Sequence, residues 1–206
     1  MTSGPGAPPL PPPPPPVVAA RTVSEAAQAA ADAWAQPMDP AGHSRAVSQL
    51  YSVLRDLGIA TRGLARYQTT GNPADPAPPD FPRLLASSAE RLLGAGESLD
   101  GVLAAEGLRT VPDPDEPDTM LRQAARTAII AWRQPAGTSA DRDTIIERLI
   151  TAIEFLAIAT RYLATCAPRR RAITLNAVAA SLTEATACLS KAIQPPVRQP
   201  RPKGGR

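Results

Sequence analysis

Residues 57–65 read Leu-Gly-Ile-Ala-Thr-Arg-Gly-Leu-Ala, and residues 156–164 repeat them 99 positions later as Leu-Ala-Ile-Ala-Thr-Arg-Tyr-Leu-Ala. Two further segments repeat in the same order, residues 26–37 as 124–135 and residues 77–99 as 167–189. Self-similarity at a nearly fixed spacing is the sequence mark of a duplicated architecture. The sequence therefore predicts two copies of one structural unit.

The positions of the 25 prolines delimit the helices of this unit. A proline inside a helix costs about 3 kcal/mol, so each proline-free window is a candidate helix. The windows are residues 22–36, 41–72, 83–111, 118–134, 136–167 and 169–194. Apolar residues recur in these windows at spacings of three and four, and no window shows the sustained alternation of apolar and polar residues that is typical of a β-strand. The sequence therefore predicts an all-α protein with the order short, long, long repeated twice.

These helices group into two three-helix units, residues 22–109 and 118–194, joined by the Asp- and Pro-rich linker 110–117. We expect the two units to share a core as a six-helix bundle with pseudo-two-fold symmetry, although the linker also leaves two separate domains open. The Pro-rich tail 1–21 and the basic tail 195–206 are predicted to be disordered from their composition.

Several residues are expected to mark where these helices begin and end. Thr22 and Glu25 have the spacing of a capping box, which predicts the start of the first helix. Gly107 is predicted to close the third helix. Three glycines inside that helix cost about 1 kcal/mol each relative to alanine, so we expect either a kink or a neighbour packed on the backbone. They are Gly94, Gly96 and Gly101.

Composition favours an aliphatic core and a cytoplasmic protein. The chain is 43% hydrophobic but only 3% aromatic. No secretory signal peptide and no run of about 18 apolar residues is found, so no membrane span is expected. Cys166 and Cys188 are predicted to be free thiols, because the predicted helices hold them about 30 Å apart. Two free thiols fit a reducing compartment.

The repeated residues offer two candidate surfaces for a protein partner. Trp34 and Trp132 each close a short helix, either as paired aromatic anchors for a partner or as packing that both copies share. Arg62 and Arg161 follow the repeated Ile-Ala-Thr string. They are predicted either to bind a carboxylate or phosphate, or to form structural ion pairs with an acid on a neighbouring helix such as Glu97 or Glu184.

A second set of residues suggests a nucleic-acid contact. Arg169, Arg170 and Arg171 begin the sixth helix, where cations oppose the helix dipole and free N–H groups attract anions. Either they bind phosphate or an acidic protein, or they are solvated surface side chains. The net charge of +3 is concentrated in the C-terminal tail, which carries four cations and no acid and is either a phosphate contact or a solubilising tail. The four tail cations are Arg198, Arg201, Lys203 and Arg206.

The sequence contains no pattern typical of an enzyme. The only histidine, His43, is predicted to lie in a Pro/Gly loop, and no His, Cys, Asp or Glu spacing matches a metal site. No phosphate-cradling glycine loop and no nucleophile elbow is present, so no cofactor is expected. The N-terminal Pro8–Pro16 stretch is predicted to form a polyproline II rod, which is either a ligand for an aromatic groove or a stiff spacer.

Two hypotheses about function follow. The first is a non-enzymatic helical adaptor, in which a duplicated bundle presents two equivalent surfaces to a protein partner. The second is a nucleic-acid-associated protein that contacts phosphates through Arg169–Arg171 and the basic C-terminal tail. Because both copies carry the same apolar seams, a closed monomer and a domain-swapped homodimer are both open.

Overall fold

The computed structural model describes residues 12–67, 76–107 and 119–194, and this part of the chain is all-helical, as predicted. Its six helices are α1 Pro16–Trp34, α2 Pro40–Tyr67, α3 Phe81–Ala105, α4 Met120–Ala131, α5 Ser139–Cys166 and α6 Arg169–Ile193. The predicted linker 110–117, the predicted tail 195–206 and residues 1–11 lie outside the described residues.

The two long helices of each sequence copy pair with each other. α2 packs along α3, α5 packs along α6, and α3 packs against α6 to join the two hairpins. The short helices cross over: α1 packs mainly on α5 and α4 packs mainly on α2, while α1 and α4 also contact each other. Buried residues of all six helices form one contiguous cluster. Within the described residues, the six helices therefore share one core.

Small and aliphatic side chains fill this core, as the low aromatic content predicted. Leucines such as Leu57, Leu92 and Leu156 are fully buried, and alanines such as Ala27 and Ala125 let neighbouring helices approach closely. Among the largest fully buried side chains only Trp132 and Phe81 are aromatic.

Gly58 and Gly96 lie where α2 and α3 pack against each other. A Cβ atom added to Gly58 would lie 2.7 Å from Leu93 Cγ, and one added to Gly96 would lie 3.8 Å from the Tyr51 carbonyl oxygen. α3 therefore runs through its three glycines as one helix, with a neighbour packed on the backbone at Gly96. Gly94 and Gly101 face open space.

The ends of two helices test the sequence signals. α1 begins at Pro16 rather than Thr22, because proline is well tolerated in the first turn of a helix. Residues 16–21, predicted as part of the disordered tail, are thus helical, and the Thr22 hydroxyl donates to the Val18 carbonyl oxygen instead of capping. Gly107, with φ of 69°, follows the end of α3 as predicted.

Candidate functional site

A buried polar cluster joins four helix ends at one end of the bundle. His43, predicted to lie in a loop, belongs to the first turn of α2 because the helix begins at Pro40. Arg171 Nη1 donates to His43 Nδ1 at 2.9 Å. The other ring nitrogen, Nε2, lies 2.8 Å from the Leu163 carbonyl oxygen at the end of α5. Since a guanidinium can only donate, these partners assign the neutral tautomer with its proton on Nε2.

Arg171 is the centre of this cluster and is only 8% exposed. Its Nε and Nη2 donate to the two carboxylate oxygens of Glu106 at the end of α3. Its Nη1 also reaches the Ser44 hydroxyl at 3.3 Å. Arg171, predicted with Arg169 and Arg170 either to bind an anion or to be solvated, has its guanidinium buried and paired inside the protein. A two-pronged carboxylate partner compensates the burial of this cation.

The arrangement of the cluster is that of a structural clamp. Both ring nitrogens of His43 are engaged by Arg171 and Leu163, so neither is free to take a proton from a substrate. No local pattern in the sequence links Glu106 to Arg171, since 65 residues separate the two. The only signal in the sequence was that Arg171 places a cation in the first turn of a helix, where the helix dipole disfavours positive charge.

The opposite end of the bundle has a related pair. The Arg142 guanidinium lies over the Phe81 ring, 5.3 Å from its centroid. In the sequence repeats, Arg142 aligns with His43 and Phe81 aligns with Arg171. Each end thus holds one arginine against one ring, with the positions exchanged. Among the described residues, Arg142 Nε is buried without a hydrogen-bond partner, although it lies 3.8 Å from Asp143 Oδ1. A cation–π contact thus accompanies a long ion pair in place of the two-pronged carboxylate of Glu106.

The two tryptophans lie in different environments. Trp132 is fully buried, and its indole N–H donates to the Pro16 carbonyl oxygen at 3.2 Å. Trp34 is half-buried and lines a cleft of about 230 Å³ between α1 and the start of α4, where Met120 is exposed. The structure therefore places Trp132 in the core and leaves only Trp34 with a face toward solvent.

The repeated Ile-Ala-Thr-Arg strings present the same side chains on α2 and α5. Thr61 and Thr160 are fully buried, each donating to the carbonyl oxygen four residues earlier. Ile59 and Ile158 are 38% and 44% exposed. The arginines that follow them, Arg62 and Arg161, are both exposed.

The ion pairs considered for these arginines are not the ones the structure shows. Arg161 Nη2 donates to the Thr183 hydroxyl at 3.3 Å, while Glu184 pairs with Arg91 of α3. Within the described residues Arg62 has no ion pair. Arg161 does not pair with Glu184, because Arg91 reaches Glu184 across the α3–α6 contact.

A shallow cleft of about 280 Å³ lies on the outer face of α5. Ile158, Arg161, Tyr162 and Thr165 line it. Sequence analysis missed Tyr162, which is 50% exposed, because its counterpart in the first copy is Gly63. A large aromatic at a position where the other copy has glycine was the available signal.

The remaining predicted residues lie at the start of α6 and beyond its end. Arg169 and Arg170 are exposed at the N-terminus of α6, which has no side-chain cap. The four tail cations at 198, 201, 203 and 206 lie outside the described residues. Cys166 and Cys188 are free thiols. No group of three metal-ligating side chains occurs among the residues described.

Two helices, α5 and α6, are long and apolar enough to cross a membrane. Core helices of bundles share this property, and half of the most apolar window of α5 is buried. No protein-family model, no curated protein and no solved structure matches the chain in the comparisons.

Proposed function

We propose that the protein is a non-enzymatic helical adaptor, a cytoplasmic bundle that binds a protein partner on the outer faces of α2 and α5. The proposal includes an internal duplication, in which the two helical hairpins are copies related by a pseudo-two-fold axis. The matching pairings of α2 with α3 and α5 with α6, and of α1 with α5 and α4 with α2, support this duplication.

One observation carries the proposal. The same string in two copies buries the same threonine and exposes the same isoleucine and arginine on two long helices. Packing explains why the threonine recurs in both strings, because Thr61 and Thr160 are buried. Packing does not account for a large exposed aliphatic next to an exposed arginine on both helices. An apolar anchor beside an arginine is a common composition of a protein-binding site.

A photo-crosslinking amino acid placed at position 59 or 158 of the full chain tests this function. We expect both positions to trap the same protein partner in cells, detected by mass spectrometry. The same probe at Gln123, an exposed residue of α4, is the matched control. Equal crosslinking at all three positions, or none at 59 and 158, would contradict the adaptor proposal.

Nucleic-acid association is the second candidate, and the exposure of Arg169 and Arg170 at the uncapped start of α6 favours it. This candidate function uses Arg169 and Arg170, but not the buried Arg171, together with the basic tail. A pull-down with and without nuclease separates the candidates, because phosphate binding falls steeply with salt and requires the nucleic acid. Partners that survive nuclease treatment support the adaptor, and partners lost with the nucleic acid support this alternative.

A further inference from the structure

The α5–α6 hairpin carries a one-sided charge around its turn. Residues 155–183 contain four arginines and no aspartate or glutamate. Arg171 is buried in the clamp, which leaves Arg161, Arg169 and Arg170 exposed. This segment therefore presents three exposed positive charges close to the turn between α5 and α6.

The exposed Glu154 lies one turn before Ile158 on α5, and two other acids that border this segment are already engaged. Glu106 is paired with Arg171, and Glu184 is paired with Arg91 of α3. Asp39, just before α2, accepts a hydrogen bond from the Gly42 amide at 2.6 Å. Among the described residues, none of the three exposed arginines forms an ion pair.

Apolar side chains accompany these charges. Ile158 and Tyr162 lie on either side of Arg161 in sequence and line the same cleft with it. On the facing helix of the hairpin, Ile173 is 64% exposed. We call Ile158, Arg161, Tyr162, Thr165, Arg169 and Arg170 the hairpin-tip surface. It combines an aromatic and an aliphatic anchor with guanidinium groups, each of which can bind one carboxylate through two parallel hydrogen bonds.

We propose that the hairpin-tip surface binds an acidic peptide segment of a partner protein, one in which apolar side chains alternate with aspartates or glutamates. The inference deepens the proposed adaptor function and rests on it. The apolar side chains would enter the cleft at Ile158 and Tyr162, and the carboxylates would pair with the three arginines. Charge complementarity of this kind governs both partner choice and the rate of association.

The composition of the surface favours a peptide over other anionic partners. A phosphate backbone is bound by charge and needs no apolar cleft. A lipid surface needs a broad apolar face, whereas the inner faces of α5 and α6 are buried in the core and only isolated apolar residues remain outside. A cleft lined by Ile158 and Tyr162 beside Arg161 is complementary to a short peptide that carries both apolar and acidic side chains.

A random peptide library displayed on phage and selected on the immobilised full chain tests the inference. We expect the enriched peptides to carry an excess of Asp and Glu together with apolar residues. Synthetic versions should bind the triple variant Arg161→Glu, Arg169→Glu, Arg170→Glu at least about tenfold more weakly than the wild type. Tyr162→Ser, which keeps every charge, should weaken binding as well.

The matched control is Arg148→Glu, because Arg148 is an exposed arginine of the same helix, α5, and lies outside the hairpin-tip surface. It should leave the affinity unchanged. Circular dichroism confirms that each variant keeps its helix content. An absence of enriched peptides, enrichment without acidic bias, or equal binding by the triple variant would overturn the inference.

Phosphatidylserine-containing vesicles and a short DNA duplex are measured beside the peptides. If they bind and acidic peptides do not, the surface is a general polyanion site and the inference is wrong. The adaptor proposal is judged separately by crosslinking at positions 59 and 158. A partner trapped there, with no acidic peptide selected, would keep the adaptor and reject the hairpin-tip inference.

Discussion

Arg171 donates a hydrogen bond to His43 Nδ1 at 2.9 Å across 128 residues of chain. The two residues lie in the first turns of α6 and α2, one from each predicted copy. Their contact, completed by Glu106 and Leu163, holds one end of the bundle together. The contribution of this contact to the free energy of unfolding can be measured by comparing substitutions within the cluster with substitutions of neighbouring residues outside it.

Arg171→Met should lower the free energy of unfolding by about 1–3 kcal/mol, because His43 Nδ1 and Glu106 would lose their shared donor. Arg170→Met, the exposed neighbour, should change it by less than about 0.5 kcal/mol. Urea denaturation followed by circular dichroism measures both. Equal effects of the two substitutions would show that the clamp contributes nothing specific.

Glu106→Gln should destabilise the protein by about 2–3 kcal/mol, since it keeps the shape of the side chain but leaves the buried Arg171 cation uncompensated. In the double variant Glu106→Gln with Arg171→Met, the loss should be smaller than the sum of the single losses. A thermodynamic cycle from denaturation curves supplies the comparison. Strict additivity would mean that the two side chains do not interact.

Gly58→Ala and Gly94→Ala should have opposite effects. A methyl group at Gly58 would meet Leu93 at 2.7 Å and should destabilise the α2–α3 contact by about 1 kcal/mol net of the better helix propensity. Gly94 faces open space, so alanine there should stabilise the protein by roughly 0.5–1 kcal/mol. Thermal unfolding of the two variants, compared with the wild type, reveals the sign; two stabilising substitutions would contradict the close approach at Gly58.

Fluorescence should distinguish the two tryptophans. The variant Trp132→Phe retains only the half-buried Trp34, and we expect red-shifted emission that acrylamide quenches readily. Trp34→Phe retains only the fully buried Trp132 and should give blue-shifted, protected emission. Trp132→Phe should also be the less stable of the two, because it removes the hydrogen bond to Pro16 and opens a cavity. Identical quenching in both variants would contradict the different burial.

The number, order and approximate bounds of the helices could be predicted because proline positions and apolar spacing are local properties. The same proline rule puts the start of α1 at Thr22 instead of Pro16, because it counts Pro16 as an interruption although the first turn of a helix accepts proline. The crossing of α1 onto α5 could not be predicted. Both copies present equivalent apolar seams, so sequence alone does not distinguish packing within a copy from packing between copies.

The candidate sites were predictable only in part. The exposure of Arg62 and Arg161 follows from their place beside a buried threonine in a helical pattern. The pairing of Arg171 with Glu106 does not, because it depends on where α3 ends relative to α6. His43 was placed in a loop since its neighbours include proline and glycine, and only the start of α2 at Pro40 reveals that it is buried.

The crossing of the short helices has a consequence for synthesis of the chain. α1 ends at Trp34, but α5, on which it mainly packs, begins only at Ser139. At a translation rate of 5–20 residues per second, roughly 5–20 s pass between the emergence of the two helices from the ribosome. During that interval the apolar face of α1 lacks the helix that covers most of it. The nascent protein is therefore exposed to chaperones and to wrong partners until its second half has been made.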